Sequence, residues 1–127
     1  MDVFLAQPEF AVAGASTDRD KYGNKVVRVY LQNDKSVVPI NPKAEEVEGV
    51  RAVKSVSDLP SPRVGLSIVT PPAVTLQVVK QALSLGIRHF WMQPGAENDE
   101  AIRLAQEAGA VVIHGGPCVL VALGYRE

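Results

Sequence analysis

The chain has 127 residues, 46% of them hydrophobic and 21% charged, with a formal net charge of -1. That length reads as one domain over residues 1–127, able to bury a core without staples. The near-neutral balance excludes recruitment to nucleic acid or an anionic membrane by bulk charge. The lone Cys118 rules out an internal disulfide framework and fits a reducing, cytoplasmic setting. Met1 to Ala6 lack the pattern of a signal peptide, and no apolar run approaches membrane-spanning length.

In chain order, residues 1–9 read as a lead-in with a short helical turn that packs Val3, Phe4 and Leu5 on a sheet. Phe10 to Ala13 is an apolar run suited to a strand buried on both faces. Gly14, Ala15 and Ser16 turn the chain into a polar loop. A helix is expected from about Asn24 to Gln32, with Val26, Val27, Tyr30 and Leu31 on one face. Ser36 to Ile40 forms a second strand, with Pro39 tolerated at its end because it donates no ladder bond. Gly49 turns the chain between short extended pieces at 45–47 and 50–53, and Ser57 to Pro60 gives one helical turn.

Val64 to Val69 is the third strand. Pro72 fits a helix entry, since its missing N–H would be unpaired there anyway. The helix at 73–85 carries a stripe of Val74, Val78, Ala82 and Leu85, widened by Leu76, Val79 and Leu83, and is closed by Gly86. His89 to Gln93 is the fourth strand, and Pro94-Gly95 turns the chain. Asn98 caps a helix that opens with Asp99 and Glu100 and buries Ala101, Ile102, Leu104, Ala105 and Ala108. Ala110 to Ile113 is the fifth strand, and Cys118 to Leu123 a last short helix. Apolar strands alternating with helices predict an α/β fold: a Rossmann-like, doubly wound, five-stranded parallel sheet with helices on both faces.

In such sheets ligands bind beyond the carboxyl ends of the strands, near the reversal of strand order. Those ends carry Gly14-Ala15-Ser16, Asn41-Pro42-Lys43, Thr70-Pro71-Pro72, Gln93-Pro94-Gly95 and His114-Gly115-Gly116. A helix start aimed back at the first loop offers unpaired N–H groups to a phosphate. The full G-x-G-x-x-G fingerprint is missing, because Ser16 follows Gly14 and the next glycine is Gly23. Where a dinucleotide site expects an acid on the ribose, Lys43 supplies a cation, which favours a phosphorylated ribose. NADP and coenzyme A both meet that description. A receiver-type signalling domain is excluded, since Gly14-Ala15 and Thr70 stand where it needs acids.

The ordered set Ala11-Val12-Ala13-Gly14-Ala15-Ser16, Val38-Pro39-Ile40-Asn41-Pro42-Lys43, Glu48-Gly49 and Val69-Thr70-Pro71-Pro72 resembles the small CoA-binding domain family. The resemblance continues through Gly86-Ile87, Trp91-Met92-Gln93-Pro94-Gly95 and Gly116-Pro117-Cys118, over nearly the whole chain. That family is similar to the amino-terminal domain of the succinyl-CoA ligase alpha subunit. The resemblance implies that Gly14, Ala15 and Ser16 lie against the CoA diphosphate. It puts Lys21 and Tyr22 on phosphate or ribose, and Asn41, Pro42 and Lys43 around the adenosine, with Lys43 near its 3′-phosphate. Thr70, Pro71 and Pro72 then pack beside the nucleotide, and Gln93 with Pro94 faces the pantetheine path.

This chain departs from the family in its apolar run Val119 to Leu123, where many members carry polar groups. The ligase's phosphorylated histidine lies outside the resemblance, so neither His89 nor His114 inherits its role. His89 and Trp91 read as packing residues. A Cys118–His114 pair lacks a third orienting group, and no metal-ligand spacing is present. A mixed disulfide between Cys118 and the CoA thiol is a more modest expectation.

The leading reading is a non-catalytic binding protein for coenzyme A or an acyl-CoA, acting as carrier, sensor or regulator in acyl-CoA metabolism. The alternatives are an NADP-binding oxidoreductase and a ligand-free interaction domain. The expected partner is a small-molecule nucleotide, with no nucleic acid and no membrane. A homodimer or a partner enzyme stays open, with Val119 to Leu123 as either core or contact.

Overall fold

A computed structural model describes all of residues 1–127. The strands are β1 (Glu9–Ala13), β2 (Val37–Ile40), β3 (Glu46–Val47), β4 (Val50–Arg51), β5 (Val64–Ile68), β6 (His89–Met92) and β7 (Val111–Ile113). The helices are α1 (Asp2–Leu5), α2 (Tyr22–Gln32), α3 (Pro72–Ser84), α4 (Asp99–Glu107) and α5 (Val119–Ala122), with one 3-10 turn at Val56–Asp58. Five strands form one parallel sheet in the order β2-β1-β5-β6-β7, while β3 and β4 make a separate antiparallel hairpin. The α/β, doubly wound, five-stranded reading holds.

Alternation along β1 shows how the sheet is covered. Phe10 and Val12 point to one face, with Trp91, Val26, Val27, Tyr30 and Val119 beneath α2 and α5. Ala11 and Ala13 point to the other, with Leu66, Ile68, Phe90, Met92, Val79 and Ala105 beneath α3 and α4. Both faces are covered, so the strand interiors are mainly apolar rather than alternating, and buried Ser67 shares a hydrogen bond with the Tyr30 hydroxyl at 2.6 Å. Phe10 stacks on Tyr30 at 4.8 Å and Phe4 meets Trp91 edge-on at 5.4 Å, which seats α1 on the sheet. Trp91 is fully buried, with its Nε1 donating to the Pro117 carbonyl at 3.0 Å. His89 is half-buried beside Gln7, and burial lowers its pKa.

Pro39 lies opposite Val12 on the edge strand β2, where a missing donor is tolerated. That edge is partly covered by a bridge from Ile40 to Val53, with Val53 N–H donating to the Pro39 carbonyl at 2.9 Å. Glu48 and Gly49 both have positive φ, 52° and 78°, which gives the β3–β4 hairpin its two-residue turn.

Two helix faces differ from the pattern read in sequence. On α3 the buried residues are Thr75, Val79 and Ala82, whereas Val74 and Leu85 are 46% and 42% exposed. Leu76, Val78 and Leu83 pack against the core beneath α3 as expected, while Val74 and one side of Val78 line the cavity at the carboxyl ends of the strands. On α2 Val29 is buried and Leu31 lies at the surface, because the chain end also packs on this helix. Asn33 Nδ2 donates there to the Leu123 carbonyl at 2.9 Å.

Candidate functional site

Strand order reverses between β1 and β5, so their carboxyl ends open the crevice where such sheets take ligands. Gly14 ends β1 with φ of 90°, and a Cβ there would lie 3.0 Å from the Val69 carbonyl carbon. Glycine therefore serves both the turn and the close approach of the β5 loop. Helix α2 begins at Tyr22, two residues before the expected start, because Lys21 is extended (φ -84°, ψ 148°) and Gly23 joins the first turn. A Cβ on Gly23 would stand 2.0 Å from the Gly14 carbonyl oxygen. The bare contact of these two glycines brings the helix start onto the first loop.

That helix start is uncapped. Lys21 makes no side-chain cap, and no acidic residue lies in the first turn. Helix α3, entering through Pro71 and Pro72, likewise lacks a side-chain cap and an acid. Two helix starts, each the positive end of its dipole, thus border the crevice, with Pro72 removing one N–H from the first turn of α3.

Three adjoining cavities make a groove across this crevice. One, of about 400 Å³, is lined by Gly14, Ser16, Lys21, Tyr22, Gly23 and the Val69–Pro71 loop. A second, of about 290 Å³, continues past Tyr22 and Thr70 to Pro94, Gly95 and Ala96. The third, of about 240 Å³, runs the other way from Gly14, Ala15 and Thr70 to Pro42, Lys54 and the Val74–Val78 edge of α3. Gly14, Ala15, Ser16, Lys21, Tyr22, Pro42, Thr70, Pro71 and Pro94 are thus brought together.

The other sequence-nominated residues sit differently. Asn41 braces the loops: its Nδ2 donates to the Ala15 carbonyl at 2.9 Å, and its Oδ1 accepts from Lys43 N–H at 2.8 Å and Ala44 N–H at 2.9 Å. Lys43 lines none of the three cavities, and the cation on the Pro42 arm of the groove is Lys54, which follows the Val53 bridge. Pro72 is exposed as the first residue of α3. Gln93 is fully buried; its Oε1 accepts from Val119 N–H at 3.0 Å and from the Tyr22 hydroxyl at 3.3 Å. The Tyr22 hydroxyl also makes a short contact with Cys118 Sγ. Burial, reinforced by that contact, pushes the Tyr22 phenol well above its ordinary pKa. His114 is exposed, and the partner of Cys118 is Tyr22.

A polar network behind the first loop escaped the sequence reading. Asn24, fully buried, donates to the Ser16 carbonyl at 2.9 Å and to Glu48 Oε2 at 3.1 Å, and accepts from Arg28 Nε at 2.8 Å. Arg28 reaches on to the Arg19 carbonyl at 2.6 Å, and Arg19 pairs with Glu48. The hydrogen bond from Asn24 holds the Glu48 carboxyl below its ordinary pKa, with Arg19 adding to it. The signal was an Asn and an Arg at i, i+4 on an otherwise apolar helix face. Lys54, Val74, Val78 and Gln81 carry no such signal, since only the tertiary fold brings them to the groove.

The fold and this groove define a doubly wound α/β domain with its binding crevice at the strand-order reversal. The sequence profile of the family described as CoA binding domain matches residues 8–124, and the chain belongs to that family. Among curated proteins it is 26% identical over 112 residues to the uncharacterized protein YneT of Bacillus subtilis, covering 88% of this chain and 83% of that one. It is 38% identical over 84 residues to the acetate–CoA ligase (ADP-forming) II subunit alpha of Pyrococcus furiosus. That match takes in 65% of this chain but only 18% of the ligase subunit. Among solved structures, a conserved hypothetical protein of Pyrococcus furiosus superposes with a TM-score of 0.85 at 38% identity, covering 90% of this chain and 97% of that one. No helix is long and apolar enough to cross a membrane.

Proposed function

We propose that this chain binds coenzyme A or an acyl-CoA along the groove, without catalysing a reaction on it, as a carrier, sensor or regulator. The observation that carries the reading is the uncapped start of α2 held against Gly14 at the strand-order reversal, in a chain of the CoA binding domain family. In this reading the diphosphate lies on the N–H groups of the first loop and α2, with Lys21 beside it. The adenosine takes the arm lined by Pro42, Val74 and Val78, whose apolar walls suit a base. Lys54 is the cation for its 3′-phosphate, with Lys43 further out. The pantetheine follows Tyr22 and Pro94.

The polar side chains along the groove are Ser16, Lys21, Tyr22, Lys54, Ser55, Thr70 and Gln81, a set of hydroxyls, cations and an amide that supports the binding of phosphates and a polar arm. Titration calorimetry with CoA, 3′-dephospho-CoA and NADP tests the reading. CoA is expected to bind in the micromolar range, about -8 kcal/mol, with dephospho-CoA and the Lys54→Ala variant each weaker by about tenfold. Binding of NADP without CoA overturns the reading in favour of the oxidoreductase alternative.

A further inference from the structure

Thr70 stands where the three segments of the groove meet, and it alone lines all of them. Its side chain is held from two sides. A Cβ on Gly14 would lie 3.2 Å from Thr70 Cγ2, so the methyl rests against the glycine that ends β1. Its Oγ1 lies 2.7 Å from Oγ1 of Thr75, a fully buried residue in the first turn of α3.

Proton bookkeeping decides what this pair offers a ligand. Each hydroxyl has one proton to give and two lone pairs to accept with. Thr75 can send its proton to Thr70 Oγ1 at 2.7 Å, or to the Thr70 and Pro71 carbonyls, each at 3.3 Å. The Pro71 carbonyl already accepts the Val74 and Thr75 N–H groups at 2.9 Å. The shorter distance is the ordinary one for a hydroxyl bond, so the Thr75 proton belongs on Thr70. The Thr70 proton then has no acceptor in the protein, because Thr75 is the one partner of that oxygen. A hydroxyl that accepts one bond is also a stronger donor in the next, since bonds in a chain polarise one another. A donor seeking an acceptor beside Gly14 suits a phosphate oxygen.

We propose that Thr75 is a positioning residue for the ligand: from the core it orients the Thr70 hydroxyl, which donates to the diphosphate. The proposal rests on the CoA-binding reading and adds to it a residue that lines none of the three cavities and acts through Thr70. The competing role is local. A helical threonine that bonds back to the carbonyl four residues earlier shapes the helix and has no part in affinity.

Calorimetric titration of CoA and 3′-dephospho-CoA into the wild type, Thr75→Val, Thr75→Ser, Thr70→Val and the Thr70→Val/Thr75→Val double variant separates the two roles. Thr75→Val keeps the shape and removes the hydroxyl, and is expected to weaken CoA about fivefold. Thr75→Ser keeps the hydroxyl and should stay within about twofold of the wild type. Thr70→Val should weaken CoA about tenfold, and Thr75→Val should add less than about twofold on that background, because its effect runs through Thr70. Dephospho-CoA retains the diphosphate and should show the same factors. If Thr75→Val fails to fold, Thr75→Ala repeats the comparison as a second hydroxyl-free variant.

Unchanged affinity on loss of the Thr75 hydroxyl, or the same loss with and without the Thr70 hydroxyl, overturns the proposal and leaves the CoA reading standing. A loss seen with CoA and absent with dephospho-CoA also overturns it, since the hydroxyl would then face the 3′-phosphate. No binding of either ligand by the wild-type protein removes both.

Discussion

Helices α2 and α4 both start just beyond the carboxyl end of a strand in the same sheet, yet their first turns are built in opposite ways. At α4, Asn98 accepts from Ala101 N–H at 2.9 Å, and Asp99 and Glu100 lie on the positive end of the dipole. That terminus is satisfied from within the chain. At α2 the capping position is Lys21, the first turn holds Tyr22, Gly23 and Asn24, and no carboxylate is present. A cation at a helix start is the wrong sign for stability and the right sign for an anion held between them. The difference teaches that the chain spends its capping chemistry where strand order runs on, and withholds it where strand order reverses.

The contrast can be broken most severely at Gly23. In Gly23→Ala the new Cβ meets the Gly14 carbonyl at 2.0 Å, and that partner is backbone with no rotamer to escape through. A loss of about 3 kcal/mol or more is expected, read as the denaturant midpoint, with CoA binding lost as well. Lys21→Glu gives α2 the acid that α4 already has. CoA affinity should fall at least tenfold, about 1.4 kcal/mol, while the melting temperature holds or rises. A fall in both would show that Lys21 has a structural role instead.

Asn98→Ala is the converse change. It removes the α4 cap and the Asn98 Nδ2 bond to the Pro72 carbonyl at 3.0 Å. Stability should drop by about 1–2 kcal/mol with CoA affinity altered less than threefold. The smallest effect belongs to the Glu48 network. Its carboxyl protonates at lower pH in the folded protein than in the unfolded chain, where the ordinary value is about 4.5. Below that pH the unfolded chain binds the extra proton first, so this contribution is full above about pH 5 and is lost as pH falls through the folded value. Glu48→Gln should be slightly less stable at neutral pH and show a flatter decline on acidification, as measured by melting temperature against pH.

The five strands, the loops at their ends and the cap at Asn98 were legible because each is written locally. Apolar runs, Gly and Pro punctuation and an Asn before two acids need no partner to be read. Helix α2 starts two residues before the expected Asn24, since Gly23 reads as a loop residue without its contact with Gly14. The face of α3 is legible in Val79, Ala82 and their neighbours, whereas Val74 and Leu85 share its periodicity and lie exposed, Val74 on the groove. Lys54 could not be preferred over Lys43 without the bridge between Ile40 and Val53. The Tyr22–Cys118 contact spans 96 residues and leaves no trace in local pattern. The loops that line the groove are legible in sequence, whereas the pairing of side chains across them is not.

The central claim, that the uncapped α2 start receives the diphosphate, is tested most directly by following backbone amide resonances while CoA is titrated in. The largest shifts are expected at Ala15, Ser16, Tyr22 and Gly23, smaller ones at Thr70 and Lys54, and none at Asp99 to Ala101. Saturable binding whose largest shifts fall on α4 or β7, with the α2 start unmoved, would contradict it.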